Sequence, residues 1–215
     1  VSSFPWDEDF EAGGTEWTLL NGTGITNTWN IGSAINNGGT NSLYISNDNG
    51  VSHTYTNNSY SVVSAYRDVS IPASAASISL SFDFLGDAES CCDYVRVWAV
   101  PITYSPEAGT TFGDMITATG SAPTGRVQLG GNFNTELSFV NESLVIPSAY
   151  AGETFRLVFQ WKNDGSVGSN PPAAIDNVNI TVFNCLAPSG LVASNITTDE
   201  ATVSWDDNTS GAPSF

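Results

Sequence analysis

Apolar and polar residues alternate along almost the whole chain, and a period of two restricts it to β-strands. Ile78, Leu80, Phe82 and Phe84 alternate with Ser77, Ser79, Ser81 and Asp83. Phe155, Leu157, Phe159 and Trp161 alternate with Thr154, Arg156, Val158 and Gln160. Successive side chains of a strand point to opposite faces, so each run offers one face to a core and one to water. Further strands are expected at 16–20, 28–32, 42–46, 62–70, 94–100, 136–140, 143–146, 175–183, 190–194 and 201–205. Clusters such as Asn36-Asn37-Gly38-Gly39 and Asn47-Asp48-Asn49-Gly50 separate them and supply turns. No segment keeps a helical period. Many short strands with turns between them predict an all-β sandwich, and a jelly roll is the form that brings the first and last strands together.

The charge balance limits the partners. Five Lys and Arg against 22 Asp and Glu leave a formal net charge of −17. Phosphate recognition is driven by clustered cationic side chains, so the charge argues against nucleic acid as a partner, and anionic membrane surfaces are disfavoured by the same sign. No stretch approaches the roughly 20 apolar residues that span a bilayer, so no membrane insertion is expected. Only 13% of residues are charged, which leaves solubility to Asn, Ser, Thr and Gly, a profile of strands and turns. An acidic, Asn-rich surface suits a secreted, extracellular setting rich in divalent cations, and it serves solubility equally well. The opening Val1-Ser2-Ser3-Phe4-Pro5-Trp6 has neither the basic nor the apolar region of a signal peptide, which fits a removed signal or an excised segment.

The cysteines are Cys91, Cys92 and Cys185. Adjacent residues of a strand face opposite ways, so Cys185 is expected to form a disulfide with Cys91 or Cys92. A vicinal Cys91–Cys92 bond and three reduced thiols are the alternatives. A C-x-x-C spacing is absent, which argues against zinc.

Two acidic strings stand where strands are expected: Asp9-Phe10-Glu11 and Ala174-Ile175-Asp176-Asn177-Val178. Ala174, Asp176, Val178, Ile180 and Val182 share one parity, so Asp176 is expected to point toward the core with the aliphatic residues. A buried carboxylate is costly unless it is paired or binds a metal, and with so few Lys and Arg a cation is the expected partner. Asp9 and Glu11 flank Phe10 and share a face. Ca²⁺ collects six to eight oxygens, so Asp9, Glu11 and Asp176, with a carbonyl near Asn41, form a first candidate calcium site. It would fasten the first strand to the last. The alternative leaves Asp9 and Glu11 solvated and lets Asp176 accept backbone amides.

Three segments carry a family resemblance: Pro5-Trp6-Asp7-Glu8-Asp9-Phe10-Glu11 followed by Glu16-Trp17, Gly39-Thr40-Asn41-Ser42-Leu43-Tyr44-Ile45-Ser46, and Ala174-Ile175-Asp176-Asn177-Val178. In order and spacing they resemble the MAM-like, cleaved-adhesin and choice-of-anchor jelly rolls of large secreted and surface proteins of Bacteroidota-type bacteria. The resemblance spans 1–185. It implies structural calcium with Asp9, Glu11 and Asp176 as ligands and Asn41 beside them, as in jelly-roll carbohydrate-binding modules. The cysteine pattern departs from vertebrate MAM domains, so their disulfide scheme does not transfer. Residues 186–215 resemble the opening of a fibronectin type III domain, through Pro188, Leu191, Val203 and Trp205, with Val203 and Trp205 on an inward face. A complete domain of that kind has about 100 residues, so the segment is a truncated start. The natural protein is expected to continue beyond Phe215, or another chain to cover the hairpin.

Asp87, Glu89 and Asp93 flank the adjacent cysteines, and Asp93-Tyr94 opens a strand in a way that resembles the calcium-binding turn of CUB domains. They form a second candidate calcium site, with a solvated acidic loop as the alternative. Asn47-Asp48-Asn49-Gly50 lacks the distal Glu of an EF-hand loop and is expected to be a tight turn. The one histidine, His53, has no nucleophile motif near it, and a catalytic role is not expected. Trp98 and Tyr94 lie opposite Val95 and Val97, so an outward aromatic pair is a candidate glycan platform, with core packing as the alternative.

These features predict a non-catalytic, calcium-stabilised module of a secreted or cell-surface protein, acting in adhesion or as a segment of a surface fibre. Its partners would be other domains of the same polypeptide, surface glycans or extracellular host proteins, and further copies in a self-assembled fibre. The alternative is a carbohydrate-binding module accessory to a secreted hydrolase.

Overall fold

The computed structural model describes residues 4–184 and 189–206. Its strands are β1 (Trp6–Glu8), β2 (Thr18–Leu20), β3 (Thr28–Gly32), β4 (Ser42–Ser46), β5 (Ser61–Ser70), β6 (Ala75–Gly86), β7 (Tyr94–Pro101), β8 (Val127–Phe133), β9 (Glu136–Ile146), β10 (Thr154–Asn163), β11 (Ala174–Asn184), β12 (Ser189–Ser194) and β13 (Thr202–Asp206). One sheet has the order β3-β4-β11-β6-β9, with β1 also on β11, and the other β2-β5-β10-β7-β8. All their pairings are antiparallel.

Strand β4 pairs with β11, β5 with β10, β6 with β9 and β7 with β8, while the chain crosses between the sheets. That nested pairing is a jelly roll, and the two layers form the predicted all-β sandwich. The alternating runs point as expected. Ile78, Leu80, Phe82 and Phe84 on β6 and Phe155, Leu157, Phe159 and Trp161 on β10 are buried together between the sheets. Each such side chain contributes roughly 1.5–3 kcal/mol by leaving water. The segments expected at 136–140 and 143–146 are one strand, β9. Strand β8 has no counterpart among the expected strands, because Gly130 and Gly131 interrupt its apolar alternation.

Two backbone irregularities redirect the acidic strings. Asp9-Phe10-Glu11 is a turn after β1 rather than a strand: Phe10 takes φ 59° and drops fully buried into the core. In β11 the register slips between Asp176 and Asn179, and Asn177 takes φ 48°. This bulge reverses the parity, so Ile175, Val178 and Ile180 face the core while Ala174 packs with Tyr44 and Leu85 on the opposite side. Asp176, expected to point with Val178, lies on the Ala174 side instead, yet it is still only 1% exposed. At the bulge β11 changes partner, from β4 at Ala174 and Ile175 to β1 at Val178, Asn179 and Ile180. The first and last strands of the sandwich do meet there.

The β12–β13 hairpin is a separate two-stranded sheet. Trp205 and Val203, expected on an inward face, are 57% and 51% exposed. No helix among the described residues is long and apolar enough to cross a membrane.

Candidate functional site

Around the β11 bulge, carboxylates gather one loop by its amides. Asp176 Oδ2 accepts the N–H of Asn37 at 2.7 Å and its Oδ1 that of Asn177 at 2.8 Å. Glu11 Oε1 accepts the N–H groups of Thr40 and Asn41, each at 2.7 Å. Asp83, opposite Asp176 on β6, completes the group: its Oδ2 accepts the side-chain amides of Asn37 and Asn177 at 2.9 and 2.8 Å, and its Oδ1 that of Asn141 at 2.8 Å. The amides of Asn41 and Thr40 hold the Glu11 carboxyl below its usual pKa, whereas burial pushes that of Asp176 up. Glu11, Asn41 and Asp176 thus share one loop. Asp9 stays exposed, accepting only the N–H of Glu11. Asp83 escaped the sequence analysis because it sits on the polar parity of an ordinary alternating strand.

The second acidic group differs from its expected membership. Oxygens of Glu89, Asp93 and Asp164 lie within 4.8 Å of one another. Asp87 is not among them; its N–H is bonded to Pro171 O. Asp164 takes its place because the turn after β10 returns beside the start of β7. Asp93 is fully buried, with Oδ2 accepting the Tyr55 hydroxyl at 2.7 Å and the Asn163 amide at 3.3 Å, and Oδ1 accepting the Asp164 N–H at 2.9 Å. Burial raises its pKa, and the Asp164 and Glu89 charges act in the same direction. Glu89 Oε2 is buried without a hydrogen-bond partner. Gly168 closes the group: a Cβ there would lie 2.1 Å from the Tyr55 hydroxyl and 2.9 Å from Asp93 Oδ2.

The disulfide joins Cys91 to Cys92, not either of them to Cys185, which lies outside the described residues. Residues 90–92 form a turn and not a strand, so the opposite-face geometry that favoured Cys185 does not apply. The N–H groups of Cys92 and Asp93 both donate to Glu89 O, and the Asn134 side chain donates to Glu89 O and Asp93 O. The turn therefore fixes Glu89 against Asp93.

Trp98 and Tyr94 do lie on the outer face of their sheet, but they form no platform. They are 1% and 5% exposed because the 102–126 connection folds over them. Ile116 packs with Trp98, Val100 and Val158, and Met115 with Tyr94 and Val62. Gln160 Oε1 accepts the Ile116 N–H at 3.0 Å, and Gly109 bridges to Val62, so the cover is pinned by hydrogen bonds as well as by apolar contact.

Beyond this cover the same face opens into a pocket of about 400 Å³ lined by Glu16, Thr18, Tyr66, Arg67, Asp68 and Arg156. Arg156 makes a two-pronged ion pair with Asp68, at 2.7 and 3.1 Å, donates to Tyr104 O at 2.9 Å and lies 4.3 Å from the Tyr66 ring centre. Arg67 pairs with Glu8 and Glu16 and lies 4.4 Å from the Trp6 ring centre. His53 is tied to Pro172 O at 2.9 Å, and burial lowers its pKa to about 4.

No family model matches the sequence, and no curated protein matches it. Among solved structures, the K1 cleaved adhesin domain of Lys-gingipain from Porphyromonas gingivalis is 15% identical, with 83% of this chain and 98% of that one covered and a TM-score of 0.49. The CBM22-1 xylan-binding domain of Paenibacillus barcinonensis Xyn10C is 12% identical over 84% of this chain and 95% of that one, at 0.49. The enzymatically active domain of bacteriophage CBA120 tailspike protein 4 is 14% identical over 78% of this chain but only 19% of that one, at 0.49.

Proposed function

We propose that this chain is a non-catalytic, calcium-stabilised extracellular module of a secreted or cell-surface protein, serving adhesion or forming a segment of a surface fibre. One observation carries the proposal. Each of the five Lys and Arg lies over an aromatic ring: Arg67 on Trp6, Arg96 and Lys162 on Tyr94, Arg126 on Tyr104 and Arg156 on Tyr66. The ion pairs among the described residues use only Glu8, Glu16 and Asp68. Asp93 and Asp176 are therefore buried without a cationic side chain, and Glu89 buries an unpartnered carboxylate oxygen. A hard divalent cation with oxygen ligands offsets such a charge, and an extracellular setting supplies Ca²⁺.

In this proposal one Ca²⁺ joins Glu89, Asp93 and Asp164. Another is held by Glu11 and Asp176 at the clasp; the loop meets these carboxylates through the N–H groups of Asn37, Thr40 and Asn41, so its carbonyls would have to turn toward the ion. His53, neutral and engaged with backbone, is a poor proton acceptor, which fits a module without catalysis. The acidic surface, the fastened end strands and the exposed hairpin fit a segment that works beside other domains, extracellular proteins or further copies of itself. A second reading, a carbohydrate-binding module, draws support from the open Tyr66 pocket.

Thermal melting in Ca²⁺ and in EDTA tests the first reading. At about a hundredfold excess over Kd, one bound Ca²⁺ adds roughly 2.7 kcal/mol. Asp93→Asn and Asp176→Asn should each remove part of the calcium-dependent rise. An unchanged melting temperature of the wild type on chelation would sink it.

A further inference from the structure

We propose that the open pocket between β2, β5 and β10 binds a neutral, hydroxyl-rich saccharide. The proposal deepens the carbohydrate-binding reading by naming its site and ligand class, and it is independent of bound calcium. Thr18 projects from β2, Tyr66 and Asp68 from β5, and Arg156 from β10, so adjacent paired strands hold the lining. The volume of about 400 Å³ falls within the roughly 300–1,000 Å³ of small-ligand sites.

The lining chemistry selects the ligand. Both guanidiniums are already neutralised, Arg156 by Asp68 and Arg67 by Glu8 and Glu16, so no free positive charge remains to hold a phosphate or sulfate. The chain's net charge of −17 repels anions further. Each carboxylate here faces a guanidinium, which disfavours a metal ion. Apolar lining is confined to the Tyr66 ring and the Thr18 methyl, too little for a lipid or an apolar peptide. A carboxylate beside a guanidinium offers an acceptor next to a donor, and a sugar diol can use both at once because each hydroxyl donates and accepts. The arginine side chains are only 13–14% exposed and are locked by ion pairs and aromatic rings, so little side-chain freedom is lost on binding. The Arg156–Asp68 pair is half-exposed at its carboxylate, and such pairs add little to stability, so holding the fold together does not account for its place in the pocket; the Arg67–Glu8 pair is largely buried and Glu8 lies outside the lining.

The test uses an array and affinity electrophoresis with neutral gluco-, xylo-, manno- and galacto-oligosaccharides, plus sulfated and uronic acid glycans for comparison. At least one neutral glycan should bind. Thr18→Trp, which fills the pocket from an exposed edge-strand position, and Asp68→Asn, which keeps the shape but removes the acceptor charge, should each weaken binding tenfold or more. Each variant is first required to melt as the wild type does. Binding should persist in EDTA at temperatures where the chelated protein is folded, so failure of this proposal and failure of the calcium proposal are read separately. Absence of binding to every neutral glycan overturns the assignment. So does preference for sulfated or uronic glycans, full binding by both variants, or loss of binding in EDTA while the fold persists.

Discussion

Replacing Tyr55 by Phe removes one oxygen from the Glu89–Asp93–Asp164 group and leaves the packing in place. The hydroxyl donates to the buried carboxylate of Asp93 at 2.7 Å, while the ring meets Trp161 edge-on at 5.5 Å, a contact Phe retains. A hydrogen bond to a charged acceptor contributes about 1.5–3 kcal/mol, against about 0.5–1.5 kcal/mol for a neutral one. Tyr150→Phe is the neutral counterpart, because that buried hydroxyl donates to the backbone carbonyl of Ala99 at 3.2 Å. For a chain of 215 residues each kcal/mol moves Tm by about 2–4 °C. Tyr55→Phe should therefore lower Tm by about 3–12 °C, and Tyr150→Phe by about 1–6 °C. Scanning calorimetry at neutral pH in Ca²⁺ measures both. Burial raises the Asp93 pKa, so removing a cation draws the carboxyl toward its neutral form, and EDTA should shrink the gap between the two variants. A Tyr55→Phe shift no larger than that of Tyr150→Phe in Ca²⁺ would refute the charged, cation-held state of Asp93.

The clasp loop and the lone histidine give two further expectations. Gly38 and Gly39 both lie in the left-handed region, at φ +92° and +61°, so alanine at either should add about 1–2 kcal/mol of backbone strain. A Cβ on Gly39 would also sit 2.5 Å from Glu11 Oε1, whereas one on Gly38 meets nothing within 4 Å; equal Tm losses for the two variants would count against the Glu11 anchor. For His53, burial moves the pKa from 6.5 to about 4. The unfolded chain then binds more protons between those values, and stability falls as pH drops through that window, by up to about 3 kcal/mol. His53→Gln should flatten this slope in urea midpoints measured across the window, and a slope unchanged by the substitution would contradict it.

Particular residues mark where the sequence was legible. The sides taken by Ile78 to Phe84 and by Phe155 to Trp161 follow from alternation alone, because each depends only on its own strand. Asp176 was recognised as buried but assigned to the wrong side, since the Asn177 bulge reverses parity in the middle of an otherwise regular strand. Glu11 and Asn41 meet at one loop through the Asn41 N–H, where the sequence points instead to a carbonyl near Asn41 facing a cation. Cys91 and Cys92 were read as strand residues, and a turn there brings their sulfurs together. Alternation set Trp98 opposite Val95 and Val97 without deciding which pair faces outward, and no local pattern announces that Met115 and Ile116 will cover the Trp98 face.

By itself the sequence determined an all-β chain, the approximate position of most strands, and a shortage of cations that leaves buried carboxylates in need of partners. These are local or compositional properties. Only the tertiary structure decided that Asp164 rather than Asp87 joins Glu89 and Asp93, that Asp83 faces Asp176, and that the open part of the outer sheet is the Tyr66 pocket. Each of those depends on the register between strands far apart in the chain and on where a bulge or a connection breaks the period of two, and the packing of the whole sandwich sets both.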